Sequence, residues 1–123
     1  MRYTVSIKVT ARASKYWACL ETEAGGKVHK RTLEQERKAT INSNMLQGTI
    51  EAVKRLNQPC MLDIYIESDF IVAAWKQGWV RSWSANGWKN AKGNEVRNRE
   101  QWEELLQLLD RHAVRFFEWR AER

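Results

Sequence analysis

Proline occurs once in the 123-residue chain, at Pro59, and cysteine only twice, at Cys19 and Cys60. Two cysteines cannot build a disulfide framework. Each lies in an apolar, strand-like run, the pattern of buried thiols in a cytoplasmic protein. Long apolar runs are missing: none approaches the ~20 residues of a membrane span, and the opening MRYTVSIKVT has no signal-peptide core. Linkers, internal repeats and low-complexity stretches are also lacking. His29 and His112 have no cysteine, histidine or carboxylate at ligand spacing, which argues against a zinc site. Acids are in deficit, 15 against 21 Lys and Arg, and the resulting net charge of +6 favours an anionic partner. Hydrophobic residues, at 43%, suffice for a core without disulfides or metal, so residues 1–123 read as one domain.

Tryptophan is abundant, with seven copies, and so is local positive charge. Between residues 76 and 99 the chain carries Lys76, Arg81, Lys89, Lys92, Arg97 and Arg99 against Glu95 alone. Trp75, Trp79, Trp83 and Trp88 lie in or beside this stretch. The first three are spaced by four, as on one helical face. Such a stripe commonly faces a core. Here it runs into SANGWKNAKGN, polar, glycine-bearing and basic, and interleaved rings and cations suit nucleic acid.

Residues 3–9 alternate as a half-buried strand. KYWACLETE (15–23) and 27–33 read as two more strands joined by a Gly25-Gly26 hairpin turn. Met45, Leu46, Ile50, Val53 and Leu56 recur at helical spacing over 42–56, with Asn42 as cap and Pro59 marking the exit. Residues 61–67 alternate again. A short helix over 70–78 runs into the tryptophan segment. A further helix follows Asn98, whose spacing to Gln101 is that of a capping box, with Trp102, Leu105, Leu106 and Leu109 on its inner face. Residues 114–119 form a last strand. The order β-β-β-α-β-α-α-β implies an α/β domain with a mixed sheet flanked by helices.

Over nearly its whole length the chain resembles the type 1 ribonuclease H family. IEAVKRLNQPCMLDIYIESDF (50–70) is similar to that family's central helix and the strand ending in Asp-Ser, with Ile66-Glu67-Ser68-Asp69-Phe70 in place of T-D-S-Q-Y. Trp79, Trp83, Gly87, Trp88 and Lys89 resemble its basic handle. Val96-Arg97-Asn98, Trp102 with Leu105, and His112, Val114 and Phe116 follow in register. The resemblance implies the RNase H-like fold with a five-stranded sheet. It also implies an activity, hydrolysis of the RNA strand of an RNA–DNA hybrid by two divalent metals held by four carboxylates. Two hard cations held close together require several anionic oxygens.

By that resemblance the first carboxylate position is Thr10, the second Met45, and the third Glu67, an acid one methylene longer than the family's Asp. The fourth, with the C-terminal helix that carries it, lies past Arg123. Glu67 is then the one matching catalytic carboxylate, a weak metal ligand at most. Neither Asp69 nor Glu51 is placed to replace the others, so no cofactor is required and any Mg2+ would bind weakly. The family's binding surface fares better. Thr40 and Asn98 match its phosphate pocket, Asn42 falls near its minor-groove Asn, and Phe70, Trp79 and Trp83 match its DNA-channel aromatics, with Lys89 on the handle. Each has a plainer role available, Thr40 and Asn98 as helix caps and the tryptophans as packing.

The expectation is a degenerate domain that binds an RNA–DNA hybrid or duplex without cutting it. A displaced or partner-completed metal site would instead make an active hybrid endoribonuclease, and loss of the binding face a protein-interaction module. Ending at Arg123 is expected to leave apolar surface at Phe116, Phe117 and Trp119, fit for a weak homodimer or a protein partner.

Overall fold

A computed structural model describes residues 3–121. The elements run β1 (Tyr3–Arg12), β2 (Lys15–Ala24), β3 (Lys27–Glu36), α1 (Ile41–Val53), β4 (Cys60–Ile66), α2 (Asp69–Lys76), α3 (Trp79–Ala85), α4 (Arg99–Leu109) and β5 (Ala113–Glu118). The sheet order is β3-β2-β1-β4-β5. The first three strands are antiparallel, and β1, β4 and β5 are parallel. This is the RNase H-like mixed sheet that the sequence implied. Gly25 and Gly26, at φ 61° and 77°, supply the two left-handed residues that a tight hairpin turn demands.

Alternation fixes the two faces of the sheet. Val5, Ile7, Val9, Leu62, Ile64, Ile66 and Phe116 point to one side and are nearly or wholly buried, with α1 packed on β1 and β2. Gly48 lets that helix lie close. A Cβ there would come within 3.0 Å of Val9 and 3.1 Å of Tyr16. Ser6, Lys8, Thr10, Trp17, Cys19, Tyr65 and Phe117 occupy the intervening positions and remain half-buried or exposed. No helix among the described residues is long and apolar enough to cross a membrane.

Four local expectations change. The tryptophan segment is two helices, not one: Gly78 at φ 77° ends α2 and starts α3, so Trp75 leaves the face shared by Trp79 and Trp83. Trp75 instead stacks on Phe116 at 4.8 Å. The cap of α1 is Thr40, whose hydroxyl accepts from the Ser43 amide at 3.1 Å, not Asn42. The Asn98–Gln101 capping box does not form. Asn98 sits at φ 60° without a side-chain cap bond, and Gln101 reaches across to Ser43 and Gln47 on α1. Cys60 is buried, but Cys19 is only half-buried, because its strand position faces the uncovered side of the sheet.

The apolar surface expected after β5 is also smaller. Phe116 is 1% exposed beneath Trp75. Phe117 stacks on Tyr65 at 5.0 Å, and the Trp119 indole donates to the Val9 carbonyl at 3.1 Å.

Candidate nucleic-acid interface

The N-termini of α1 and α4 face one another across an open cleft of about 1220 Å³. Thr40, Ile41 and Asn42 line one wall, Asn94–Asn98 and Asn90 the other, and Phe70 and Trp83 the floor. A buried polar network sets the first wall. Asn44, fully buried, donates to the carbonyls of Arg12 at 2.7 Å and Arg37 at 2.8 Å. The Arg37 guanidinium in turn donates to the Asn44 and Ser43 side chains. The loop before α1 is thereby fixed to the end of β1, which aims Thr40 at the cleft.

The second wall belongs to the basic segment. Trp88 adopts φ 63° and is buried; its amide donates to the Trp83 carbonyl at 2.6 Å, and its carbonyl accepts from Val96 at 2.9 Å. Lys89 and Glu95 bridge the two arms of the loop that follows, and the Asn90 side chain closes its tip by accepting from the amides of Lys92 and Asn94. Asn98 comes from this loop into α4 in a left-handed conformation, leaving its amide group unused by the helix and free to face the cleft.

Phe70, Trp79 and Trp83 form one ring cluster with centroids 6.2–6.5 Å apart, and Trp83 also meets the edge of buried Trp102 at 6.2 Å. Phe70 is 50% and Trp79 41% exposed, high values for rings with packing partners. Of the positions picked out by sequence, Thr40, Asn42, Phe70, Trp83 and Asn98 come together at the cleft, with Trp79 beside them through its ring contacts. Lys89 stands apart, exposed on the loop. Arg97, already part of the Val96-Arg97-Asn98 match and of the basic stretch, also lines the cleft, and Arg37, which carried no signal in the sequence, organises it.

The carboxylate positions lie at the C-terminal ends of β1 and β4. Thr10 donates from its hydroxyl to Glu67 Oε1 at 3.0 Å, and the Ala121 amide donates to Oε2 at 2.5 Å. Met45, on α1, is 1% exposed in the core. Asp69 pairs with Arg120 at 3.2 Å on the surface. Glu51 faces the other way along α1, accepting from Gln47 and pairing with Lys54, which also pairs with Glu104 of α4. Among the described residues no three His, Cys, Asp or Glu side chains cluster as metal ligands do.

Comparison with known proteins places the chain clearly. The RNase H family model matches residues 5–121. Curated relatives include the ribonuclease H of Chlorobium phaeovibrioides, 44% identical over 63% of this chain and 54% of its own. That of Thermus thermophilus is 38% identical over 72% of this chain and 54% of its own. The chain thus spans little more than half the length of these relatives. Among solved structures, LC9-RNase H1, described as a type 1 RNase H with the type 2 active-site motif, superposes with a TM-score of 0.82 at 20% identity. It covers 99% of this chain and 65% of that one. A foamy viral protease-reverse transcriptase in complex with RNA/DNA hybrid matches with a TM-score of 0.69 at 14% identity, over 95% of this chain and 17% of that one.

Proposed function

The chain belongs to the RNase H family, and from that premise we propose that it binds an RNA–DNA hybrid or duplex across the cleft between α1 and the basic segment without cutting the RNA. The observation that carries the reading is the convergence of Thr40, Asn42 and Asn98 on one cleft floored by Phe70 and Trp83. A phosphate there meets the positive end of a 13-residue helix. It also meets three uncharged hydrogen-bonding side chains, Thr40, Asn42 and Asn98, which position a backbone without reading sequence. The exposed rings of Phe70 and Trp79 offer faces to a sugar or base, and Lys89, Lys92 and Arg97 add charge along the strand's path. Family members solved with RNA/DNA hybrid support the choice of ligand.

The absence of cleavage is inferred from the donor set. The family's chemistry uses two Mg2+ ions, which take several anionic oxygens. Thr10, Met45 and Glu67 do not fit that pair, because a hydroxyl and a buried thioether bring no charge and a thioether is soft. Glu67 already accepts a hydrogen bond on each oxygen. We therefore derive no metal-dependent step.

The test is fluorescence anisotropy with a labelled 18-base-pair RNA–DNA hybrid at rising salt. The expected result is saturable binding whose log affinity falls with log salt at a slope of roughly −3 to −4.5, from about three to five phosphate contacts. No binding at low salt would leave the protein-interaction reading instead.

A further inference from the structure

Near the cleft, the polar contact between α1 and α4 is carried by one side chain. Gln101 lies on the first turn of α4, three residues after Asn98. Its amide nitrogen donates to the Ser43 carbonyl at 2.8 Å and to Gln47 Oε1 at 3.0 Å. Its oxygen accepts from the Ser43 hydroxyl at 2.9 Å. Both amide hydrogens and the oxygen are thereby used, all on α1. The partners are themselves oriented. Gln47 donates its own amide to Glu51, which turns its oxygen toward Gln101. The Ser43 hydroxyl accepts from Arg37, which leaves its hydrogen for Gln101. The Ser43 backbone amide donates to the Thr40 hydroxyl at 3.1 Å. A continuous hydrogen-bonded path thus runs from α4, through Gln101 and Ser43, to Thr40 on the opposite wall.

Gln101 is not among the residues that line the cleft, so its influence on a ligand there passes through the residues it holds. Buried Trp102 and Leu105 pack α4 into the core, but apolar attraction is non-directional. Three hydrogen bonds to one planar amide are directional, and a fully satisfied polar network rigidifies what it joins. The other polar link between α1 and α4 among the described residues, Lys54 with Glu104, joins the opposite end of α1 and is solvent-exposed. An exposed pair of that kind holds little. Asn98 is where the register matters. It makes no cap bond of its own and enters α4 at φ 60°, so its place opposite Thr40 follows from where the start of α4 is held.

We propose, resting on the cleft as the nucleic-acid site, that Gln101 is its positioning residue. By fixing the start of α4 to the start of α1, it makes Thr40 and Asn98 a single grip on one phosphate of a duplex backbone. Neither member of the grip is a cation, so it acts by hydrogen bonds at a set spacing and releases no counterion. Without the bridge the two walls meet the backbone separately.

The test titrates the labelled RNA–DNA hybrid by anisotropy against the full chain, as wild type and as Gln101→Met. That variant keeps the length and apolar packing of the side chain and removes all three bonds. It is expected to weaken the hybrid about fivefold, as the loss of one hydrogen bond does. The salt slope should not change, because no cation is displaced. Asn98→Gly should weaken the wild type, yet add less than about twofold in the Gln101→Met background, since the two then remove the same grip. Lys89→Glu should keep its full effect in both backgrounds. Mere loss of folded chain would lower the fraction that binds, and would not erase the effect of Asn98 while sparing that of Lys89. Ser43→Ala removes the hydroxyl on the other side of the bridge and should show the same pattern; it decides by the same criteria should Gln101→Met not fold. Wild-type affinity in folded Gln101→Met, a shallower salt slope, or an undiminished effect of Asn98→Gly there would overturn the proposal and leave the cleft standing. A wild-type chain that does not bind the hybrid would overturn both.

Discussion

Because Glu67 accepts from Thr10 on β1 and from the Ala121 amide beyond β5, one side chain ties three parts of the chain across the C-terminal edge of the parallel strands. In that role it is a clamp. Replacing it by Gln keeps the shape and removes the charge, so charge-assisted bonds become neutral ones. Urea unfolding of Glu67→Gln should show a loss of about 1 kcal/mol, at the low end for bonds to a charged group because the site is half-exposed. Hybrid affinity should be unchanged. Cys60 gives a pH-dependent counterpart. Burial pushes its thiol above the usual 9.0, with Arg111 opposing. The unfolded chain therefore releases this proton first, and stability falls as pH rises from about that ordinary value through the folded one. Comparing urea midpoints at pH 8 and pH 10 should show a larger drop for the wild type than for Cys60→Ala. Buried Tyr16, also shifted upward, contributes in the same direction to both.

The helix starts at the cleft behave differently as elements. Thr40 caps α1 with its own hydroxyl, so Thr40→Ala should cost about 1 kcal/mol of stability and also lower hybrid affinity; Thr40→Ser should restore both. Asn98 makes no side-chain cap bond and holds a left-handed conformation. Asn98→Gly should therefore leave thermal stability within about 1 kcal/mol, yet weaken hybrid binding by removing the amide that faces the cleft. A calorimetric melt beside an anisotropy titration separates the two effects, and unchanged affinity would return Asn98 to a purely conformational role. These elements also mark what the sequence allowed to be read. Strand alternation places β1, β2 and β4, because burial on one face imposes a period of two that neighbours cannot disguise. By contrast β3, exposed along nearly its whole length, is placed by the Gly25-Gly26 turn. The Asn98–Gln101 spacing misleads because Gln101 finds better partners on α1, 54 and 58 residues away in sequence. The tryptophan spacing of four misleads because Gly78 interrupts the helix, a choice between continuing and breaking that local pattern leaves open.

At the scale of the whole molecule, the cleft unites residues from the start of α1, the floor at Phe70 and the loop before α4, three stretches separated by dozens of residues. Most of its members were legible through resemblance, residue by residue. Arg37 and the buried Asn44 were not, since their work is to fix a loop and only the folded chain brings Arg12, Arg37 and Ser43 together. The charge of the basic segment is likewise smaller in the fold than in the sequence: Arg99 is engaged by Glu103 at 2.6 Å, and Lys76 lies over Phe117 on the other side of the sheet. Lys89→Glu should accordingly weaken hybrid binding by a moderate factor, about three- to tenfold at low salt, and equally for every sequence, because it removes one phosphate contact. The central claim is binding without cleavage, and one measurement addresses it most directly. The chain is incubated with an end-labelled RNA–DNA hybrid, at a concentration where anisotropy shows the hybrid bound, in Mg2+ and separately in Mn2+, and the RNA is resolved on a denaturing gel. Intact RNA at the level of the buffer control is the predicted result. RNA fragments that accumulate with time and disappear in Glu67→Gln would contradict it.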